Sequence, residues 1–136
     1  MDAAVSRRAA CACGQLALDC RGEPVRVSIC HCHDCQRRTG APFGWQVRFP
    51  AEAVAPSGEA AHFRRTADSG RAIDFRFCPR CGSTVWWTMD RDPGLVVVAG
   101  GAFADATLPP PSVEVYAARR HGWTAMPALA GIESHP

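Results

Sequence analysis

The sequence predicts a mainly β protein with little helix, and three features lead to that fold class. Apolar and polar residues alternate with a period of two in several short runs, as on a half-buried strand. Gly and Pro separate these runs, and no segment carries a long amphipathic helical pattern. Finally, seven of the eight cysteines fall in tight groups. The chain has 136 residues, which suits one domain with one core.

The alternation is visible in 15–20, where Leu16, Leu18 and Cys20 share one face and Gln15 and Asp19 share the other. Seven strands are predicted in this way: 15–20, 25–29, 43–49, 72–77, 83–88, 95–100 and 112–117.

Short polar and tail segments complete the predicted secondary structure. Residues 34–38 are expected to form one helical turn, with Asp34 as N-cap and Gly40 as stop. Near the C-terminus, Trp123 is expected to pack onto the core before the tail frays.

Composition and charge exclude several classes of function. Hydrophobic residues make up 47% of the chain and the net charge is only +2, so neither nucleic acid nor a membrane is an expected partner. The longest apolar run, "LVVVAGGAFA", is too short to span a bilayer. The first residues contain no apolar stretch typical of a signal peptide, so a reducing cytoplasm is the expected location.

The grouped cysteines indicate metal binding. They occur as Cys11-x-Cys13, as Cys78-x-x-Cys81, and as three in the stretch "CHCHDC". Disulfides between residues so close in sequence would close tiny loops and stabilise little. In a reducing compartment, cysteines in such groups more often bind a metal or take part in chemistry.

The stretches "CACG" and "CPRCG" are typical of zinc knuckles, with Gly14 and Gly82 easing each tight turn. Two knuckles supply four thiolates, which fill a tetrahedral, structural zinc site. Such a site can contribute on the order of 10 kcal/mol to folding. Iron is a chemical alternative for the same four ligands.

The stretch "CHCHDC" predicts a second centre of a different kind. Cys30 and Cys32 lie two apart on an extended chain and point the same way, and a turn brings Cys35 round to them. Three protein ligands and one exchangeable position are the pattern of a catalytic zinc. His31 and His33 are interpreted as supporting or surface residues, although either becomes a fourth ligand if the chain turns.

Cys20 continues the apolar face of its strand and is interpreted as a buried thiol. The alternative is a fourth ligand for the second zinc.

Together, "CACG", "CHCHDCQRRTG" and "FCPRCGS" in this order resemble the glutathione-dependent formaldehyde-activating enzyme family, which includes centromere protein V type domains. The resemblance runs from about Cys11 to Trp123. It implies a β-tent of small, mostly antiparallel sheets held together by zinc, and two Zn²⁺ ions per chain. The implied structural zinc lies on Cys11, Cys13, Cys78 and Cys81, and the implied catalytic zinc on Cys30, Cys32 and Cys35. The expected organisation is an N-terminal segment (1–10), the zinc domain (11–124) and a tail (125–136).

The activity implied by the resemblance is a carbon–sulfur lyase reaction in the direction of addition, joining a small thiol such as glutathione to formaldehyde or a related small aldehyde. Glutathione is anionic, and the candidate substrate-binding residues directly follow the second cysteine group: Arg37, Arg38, Thr39 and Gly40. Their alternative interpretation is solvated surface arginines and a helix stop. The chain is short for the named enzyme.

There are two competing functions. One is a non-catalytic zinc module that binds a protein partner, and the other, less consistent with the small net charge, is a nucleic-acid-binding domain.

Overall fold

The structure is a computed structural model that describes residues 5–136. Within these residues the backbone forms eleven strands: β1 (Ser6–Ala10), β2 (Ala17–Arg21), β3 (Arg26–Cys30), β4 (Gly44–Pro50), β5 (Val54–Ser57), β6 (Ala61–Thr66), β7 (Ala72–Phe77), β8 (Thr84–Met89), β9 (Leu95–Ala99), β10 (Val113–Val115) and β11 (Glu133–Ser134). One α-helix, α1, spans His33–Thr39. The short 3₁₀ helices are Ala51–Ala53, Gly100–Phe103, Ala117–Arg119, Gly122–Thr124 and Pro127–Leu129. The predicted mainly β class is confirmed.

The chain divides into two compact units. The first unit comprises residues 5–25 with Val47–Asp105, and the second comprises Arg26–Gln46 with Ala106–Pro136. The expected boundaries after residues 10 and 124 stay a prediction, and residues 1–4 of the expected N-terminal segment lie outside the described residues. No helix within residues 5–136 is long and apolar enough to cross a bilayer.

The first unit contains two antiparallel arrangements. Strand β2 lies between β1 and β5, and its buried residues Leu18 and Cys20 are on the predicted apolar face. Four further strands follow the order β9-β8-β7-β6. Phe75 and Trp87 are buried on this second arrangement with ring centroids 5.3 Å apart. Two aromatic rings in such contact stabilise the β7–β8 pair beyond the area that they bury.

The second unit is built around β3 and β10, which run parallel, with Val113 opposite Ser28 and Val115 opposite Cys30. Strand β11 also lies parallel to β10, on its other edge. These two pairs are exceptions to the mostly antiparallel pairing that the resemblance implies and that the pairs β1–β2, β2–β5, β6–β7, β7–β8 and β8–β9 follow. Parallel neighbours need a long connection, and a local alternating pattern carries no information about which distant strand will pair.

Two local predictions are wrong. The N-cap of α1 is Cys32 and not Asp34, because the Cys32 sulfur accepts the N–H of Cys35. Gly40 does end the helix as predicted, with a left-handed φ of 64°.

Trp123 does not pack onto a core: it is 77% exposed. The turn that contains it buries Thr124, whose hydroxyl donates to the carbonyl of His121 at 2.7 Å.

Candidate metal centres

The four-cysteine cluster consists of Cys11, Cys13, Cys78 and Cys81 and lies within the first unit. Two turns of the same design build it, one after β1 and one after β7. In each, the first cysteine closes a loop with the residue five positions later: Cys11 N donates to Leu16 O and Cys78 N donates to Ser83 O, both at 2.9 Å. Gly14 (φ 86°) and Gly82 (φ 80°) occupy left-handed positions that other residues rarely adopt.

The sulfur positions in this cluster fit a tetrahedrally coordinated metal ion. The four Sγ atoms lie within 4.8 Å of one another. Cys11 Sγ is 3.6 Å from Cys13 Sγ, and Cys13 Sγ is 3.7 Å from Cys78 Sγ. A zinc–sulfur bond of about 2.3 Å gives a tetrahedral edge of about 3.8 Å. All four cysteines are free thiols, and a disulfide would need a sulfur separation of about 2.05 Å.

Several N–H groups point at these sulfurs, as thiolate ligands require. The Leu16 amide donates to Cys11 Sγ and the Arg80 amide donates to Cys78 Sγ, both at 3.3 Å. The Gln15 side chain adds a third donor, with Nε2 lying 3.1 Å from Cys78 Sγ. Such donors stabilise the charged form of a cysteine and orient its sulfur.

The thiols of this cluster ionise unequally without a cation. The Ser83 hydroxyl, assisted by backbone amides, lowers the pKa of Cys81 to about 5. A backbone hydrogen bond from Gln15 favours the Cys13 thiolate, but the thiol of Cys11 and other neighbours outweigh it and raise the pKa of Cys13 to about 11. A bound cation removes this conflict, because it favours several thiolates at once.

The three-cysteine cluster consists of Cys30, Cys32 and Cys35 and lies within the second unit. Cys30 is the last residue of β3, Cys32 caps α1, and Cys35 lies in the first turn of the helix. All three are buried and their Sγ atoms lie within 4.8 Å of one another. The junction of a strand with a helix therefore brings together the three side chains that the sequence spacing predicted.

Burial and crowding disfavour ionisation in this cluster. The thiols of Cys32 and Cys35, together with burial, raise the pKa of Cys30 well above its usual range. For Cys35, a hydrogen bond from Cys30 favours the thiolate, but Cys32 and burial outweigh it, so its pKa is raised as well. Charged groups buried without a partner are costly. Three thiolates at this place need a cation between them, so the donor set fits a metal ion.

His31 is fixed between two of these cysteines by contacts on several sides. It is buried, and its Nε2 lies 2.9 Å from Glu114 Oε1. Its amide donates to Val115 O at 3.0 Å, and Gln36 Nε2 donates to its carbonyl at 2.9 Å. Arg120 in turn binds both carboxylate oxygens of Glu114. Burial alone would raise the pKa of Glu114, but hydrogen bonds from Arg120 and His31 lower it below its usual value.

The predicted substrate-binding residues end the same helix. Arg37 is exposed, and Arg38 lies close enough to Cys35 for its charge to favour that thiolate. The Thr39 hydroxyl donates to Cys35 O at 2.7 Å and accepts the Ala41 amide at 3.1 Å. Gly40 is the left-handed cap. Of these four residues, Thr39 and Gly40 therefore hold the helix end, and Arg37 and Arg38 carry the charge.

The other ligand candidates are placed as follows. Cys20 is buried in β2, where burial raises its pKa to about 12, and within residues 5–136 it belongs to neither cluster. The buried-thiol interpretation is therefore confirmed. His33 is exposed on α1. His31 contacts Glu114 through Nε2, which agrees with a supporting role.

Sequence reasoning missed residues that contact the clusters from far along the chain. Gln15 reaches Cys78 across 63 positions, and Glu114 reaches His31 across 83. Val115 and Tyr116 pack against the three-cysteine cluster. The only sequence signal for the last two was the predicted strand 112–117, which indicated no contact.

Residues 6–119 match the family described as glutathione-dependent formaldehyde-activating enzyme. The chain belongs to this family. The match includes all seven clustered cysteines and ends within the 3₁₀ turn after β10. Membership in the glutathione-dependent formaldehyde-activating enzyme family suggests glutathione-dependent activation of formaldehyde at the level of the family.

A solved structure is similar to this chain in fold. It is a crystal structure of a Rhodobacter sphaeroides protein, 13% identical, with a TM-score of 0.57; the comparison covers 95% of this chain and 99% of that chain. At this identity the likeness shows the fold alone. No curated protein sequence matches the chain significantly.

Proposed function

We propose that the chain binds two zinc ions and adds a small thiol, such as glutathione, to formaldehyde or a related small aldehyde. This is carbon–sulfur lyase chemistry in the direction of addition. The observation that carries the proposal is the second cysteine cluster: a structural role needs one closed four-thiolate site, whereas three buried thiols with no fourth cysteine suit a site that receives a substrate.

The proposed division of roles follows the two donor sets. Cys11, Cys13, Cys78 and Cys81 hold a structural zinc, and Cys30, Cys32 and Cys35 hold a catalytic zinc. A zinc ion at the second site supplies Lewis acidity, which lowers the pKa of a thiol and polarises a carbonyl. The surrounding residues position the cysteine ligands: His31, held by its contact with Glu114, fixes the backbone between Cys30 and Cys32.

The proposed substrates are those in the family description, glutathione and formaldehyde. The carboxylates of glutathione need cationic partners, and Arg37 and Arg38 extend from the helical turn that follows Cys35. Thr39 and Gly40 contribute indirectly, by keeping that turn in place. Holding the thiol and the aldehyde together removes much of the entropic cost of a bimolecular step. The expected cytoplasmic location stays a prediction.

Cobalt substitution tests the proposed function directly, because the absorption of Co²⁺ reports thiolate number and geometry. Adding glutathione to the cobalt-loaded protein should change the bands of the three-cysteine site and leave those of the four-cysteine site unchanged. Formaldehyde added next should be consumed faster than in the uncatalysed reaction. Cys32→Ser should abolish both effects. Cys20→Ala is the matched control, since it removes a buried thiol outside both clusters. A spectrum that no thiol perturbs would contradict thiol activation.

The two arginines give a second prediction, on the choice of thiol. Replacing both Arg37 and Arg38 with Ala should weaken the binding of glutathione more than that of 2-mercaptoethanol, because only glutathione carries carboxylates. The expected loss is about tenfold, typical of one or two solvent-accessible ion pairs in a binding site. Titration of the cobalt spectrum measures both affinities. Arg91→Ala, at an exposed turn of the first unit, is the control and should change neither affinity.

A second candidate function, a non-catalytic zinc module that binds a protein, has one observation in its favour. Trp123 and Met126 are 77% and 43% exposed on the C-terminal segment, and such side chains are common in protein interfaces. The two candidates differ in the cobalt experiment: a binding module retains its metals and shows no response to thiol.

A further inference from the structure

Tyr116 is the single tyrosine of the chain, and it packs against the three-cysteine cluster. It directly follows β10, with φ 53° and ψ 39°, in the left-handed region. For a bulky aromatic residue this conformation is a genuine outlier. Glycine or asparagine would make the same turn at lower cost. The turn alone therefore does not explain a tyrosine at this position.

The surrounding structure holds Tyr116 in this strained conformation from both sides. On its N-terminal side, Val115 lies opposite Cys30 and its carbonyl accepts the amide of His31. On its C-terminal side, the Ala117 amide donates to His135 O at 2.8 Å. The carbonyl of Tyr116 itself accepts the Arg119 amide at 3.0 Å. Backbone strain persists where neighbours over-determine a residue, and such residues concentrate at active sites.

Ala104 provides a comparison within the same chain. Within residues 5–136 it is the other non-glycine residue with positive φ, at 48°. It ends the 3₁₀ helix Gly100–Phe103 in the first unit and carries only a methyl group. Ala104 therefore shows the ordinary use of this conformation, as a helix end. Tyr116 instead begins a 3₁₀ turn and packs a large aromatic side chain against three buried cysteines.

A guanidinium group adds charge at the same ring. Arg119 Cζ lies over the Tyr116 ring, 5.2 Å from its centroid. A cation over an aromatic face is attracted to the ring and helps to fix it.

From this geometry we propose that Tyr116 is a catalytic residue of the thiol–aldehyde addition, with its phenol as the proton donor to the aldehyde oxygen. This proposal rests on the proposed function. The sulfur electron pair of the deprotonated thiol forms the new S–C bond, and the π pair of the carbonyl moves to oxygen. That oxygen takes the phenol proton. The phenol regains, through solvent, the proton that the thiol released, so the product is a hydroxymethyl thioether and no oxidation state changes overall.

Tyr116→Phe is the first test, because it keeps the ring, the packing and the backbone and removes only the hydroxyl. The kcat for formaldehyde addition should fall roughly 100-fold, within the range of general acid catalysis. The KM for the thiol and the content of both metals should stay as in the unsubstituted protein. Ala104→Gly is the matched control: it relieves the other left-handed residue and should leave kcat unchanged. An unaltered kcat in Tyr116→Phe overturns the proposal.

The second test needs no turnover and uses the fact that the chain has one tyrosine. Protein labelled with 3-fluorotyrosine gives a single ¹⁹F resonance, which reports the surroundings of Tyr116. The resonance should shift when zinc fills the three-cysteine site and shift again when glutathione is added. If the cobalt spectrum responds to glutathione but the ¹⁹F resonance does not, the role of Tyr116 is wrong and the proposed function stands. If neither responds and formaldehyde consumption is not accelerated, both are wrong.

Discussion

Gln15 shows at the scale of one residue how this chain supports its four-cysteine cluster. Its Nε2 donates to Cys78 Sγ at 3.1 Å and to Glu59 O at 2.7 Å, while its Oε1 accepts the Glu59 amide at 2.9 Å. One neutral side chain thus stabilises a sulfur and fastens a distant loop. Because the donors are N–H groups, they favour a thiolate without competing for the metal.

Gln15→Ala should therefore loosen the metal at the four-cysteine cluster. Losing a hydrogen-bond partner of a ligand typically reduces metal affinity by roughly 10–100-fold. Competition with a coloured chelator measures the affinity of the tighter zinc. Gln46→Ala is the control, since it also removes a hydrogen bond, the one from Ser28, and Gln46 belongs to neither cluster. Equal metal affinity in Gln15→Ala and the unsubstituted protein would show that the contact is incidental.

The metal-site candidates could be predicted from the sequence because each is built from short groups: three neighbouring cysteines in one cluster, and two close pairs that together supply four ligands in the other. Cys30, Cys32 and Cys35 are brought together by one strand end and one helical turn, whose geometry is local. Tyr116 and Gln15 could not be predicted, because their contacts depend on pairings between distant segments. A tyrosine at the end of a short strand carries no sign that β10 will lie beside β3.

At the scale of elements, prediction succeeded where one face of a strand is buried. The predicted strand 72–77 matches β7, and its buried Phe75 is on the predicted apolar face. Strands β1, β5, β6 and β11 were missed, and all four lie at sheet edges. Strand β6, for example, leaves Phe63 58% exposed among arginines. Without a buried face there is no alternation for a sequence pattern to report.

The turn after β5 allows an element-scale prediction with an internal control. Gly58 (φ 88°) lies so close to Gln15 that a Cβ atom would be 1.8 Å from the Gln15 carbonyl oxygen. Gly70 has nearly the same φ, 86°, but a Cβ there meets nothing within 4 Å. Gly70→Ala should therefore lower the free energy of unfolding only by the conformational strain, roughly 1–3 kcal/mol.

Gly58→Ala should cost clearly more, because the backbone of Gln15 must also shift, and it should weaken metal binding at the four-cysteine cluster. Urea unfolding of the metal-loaded variants measures both free energies. Similar losses in the two variants would mean that the loop moves freely away from Gln15.

At the scale of the whole molecule, the two clusters close chain segments of very different length. The four-cysteine cluster joins Cys13 to Cys78 across 65 positions, whereas the three-cysteine cluster lies within six consecutive residues. The entropy that a cross-link removes from the unfolded chain grows with the length of the loop. By the relation used for disulfides, the two closures are worth about 4 and about 2 kcal/mol.

Removing one ligand from each cluster should therefore have unequal effects. Cys81→Ser should lower the melting temperature strongly and release the tighter zinc, because the distant segments lose their link. Cys32→Ser should lose one zinc of two and leave most of the fold, since the three-cysteine cluster links only neighbouring residues. Metal analysis gives the zinc content of both variants, and thermal melts give their melting temperatures. The control is the unsubstituted protein after mild chelation, which should lose the zinc of the three-cysteine cluster first. Equal losses of stability, or a protein that binds only one zinc at saturation, would contradict the assignment of one structural and one catalytic centre.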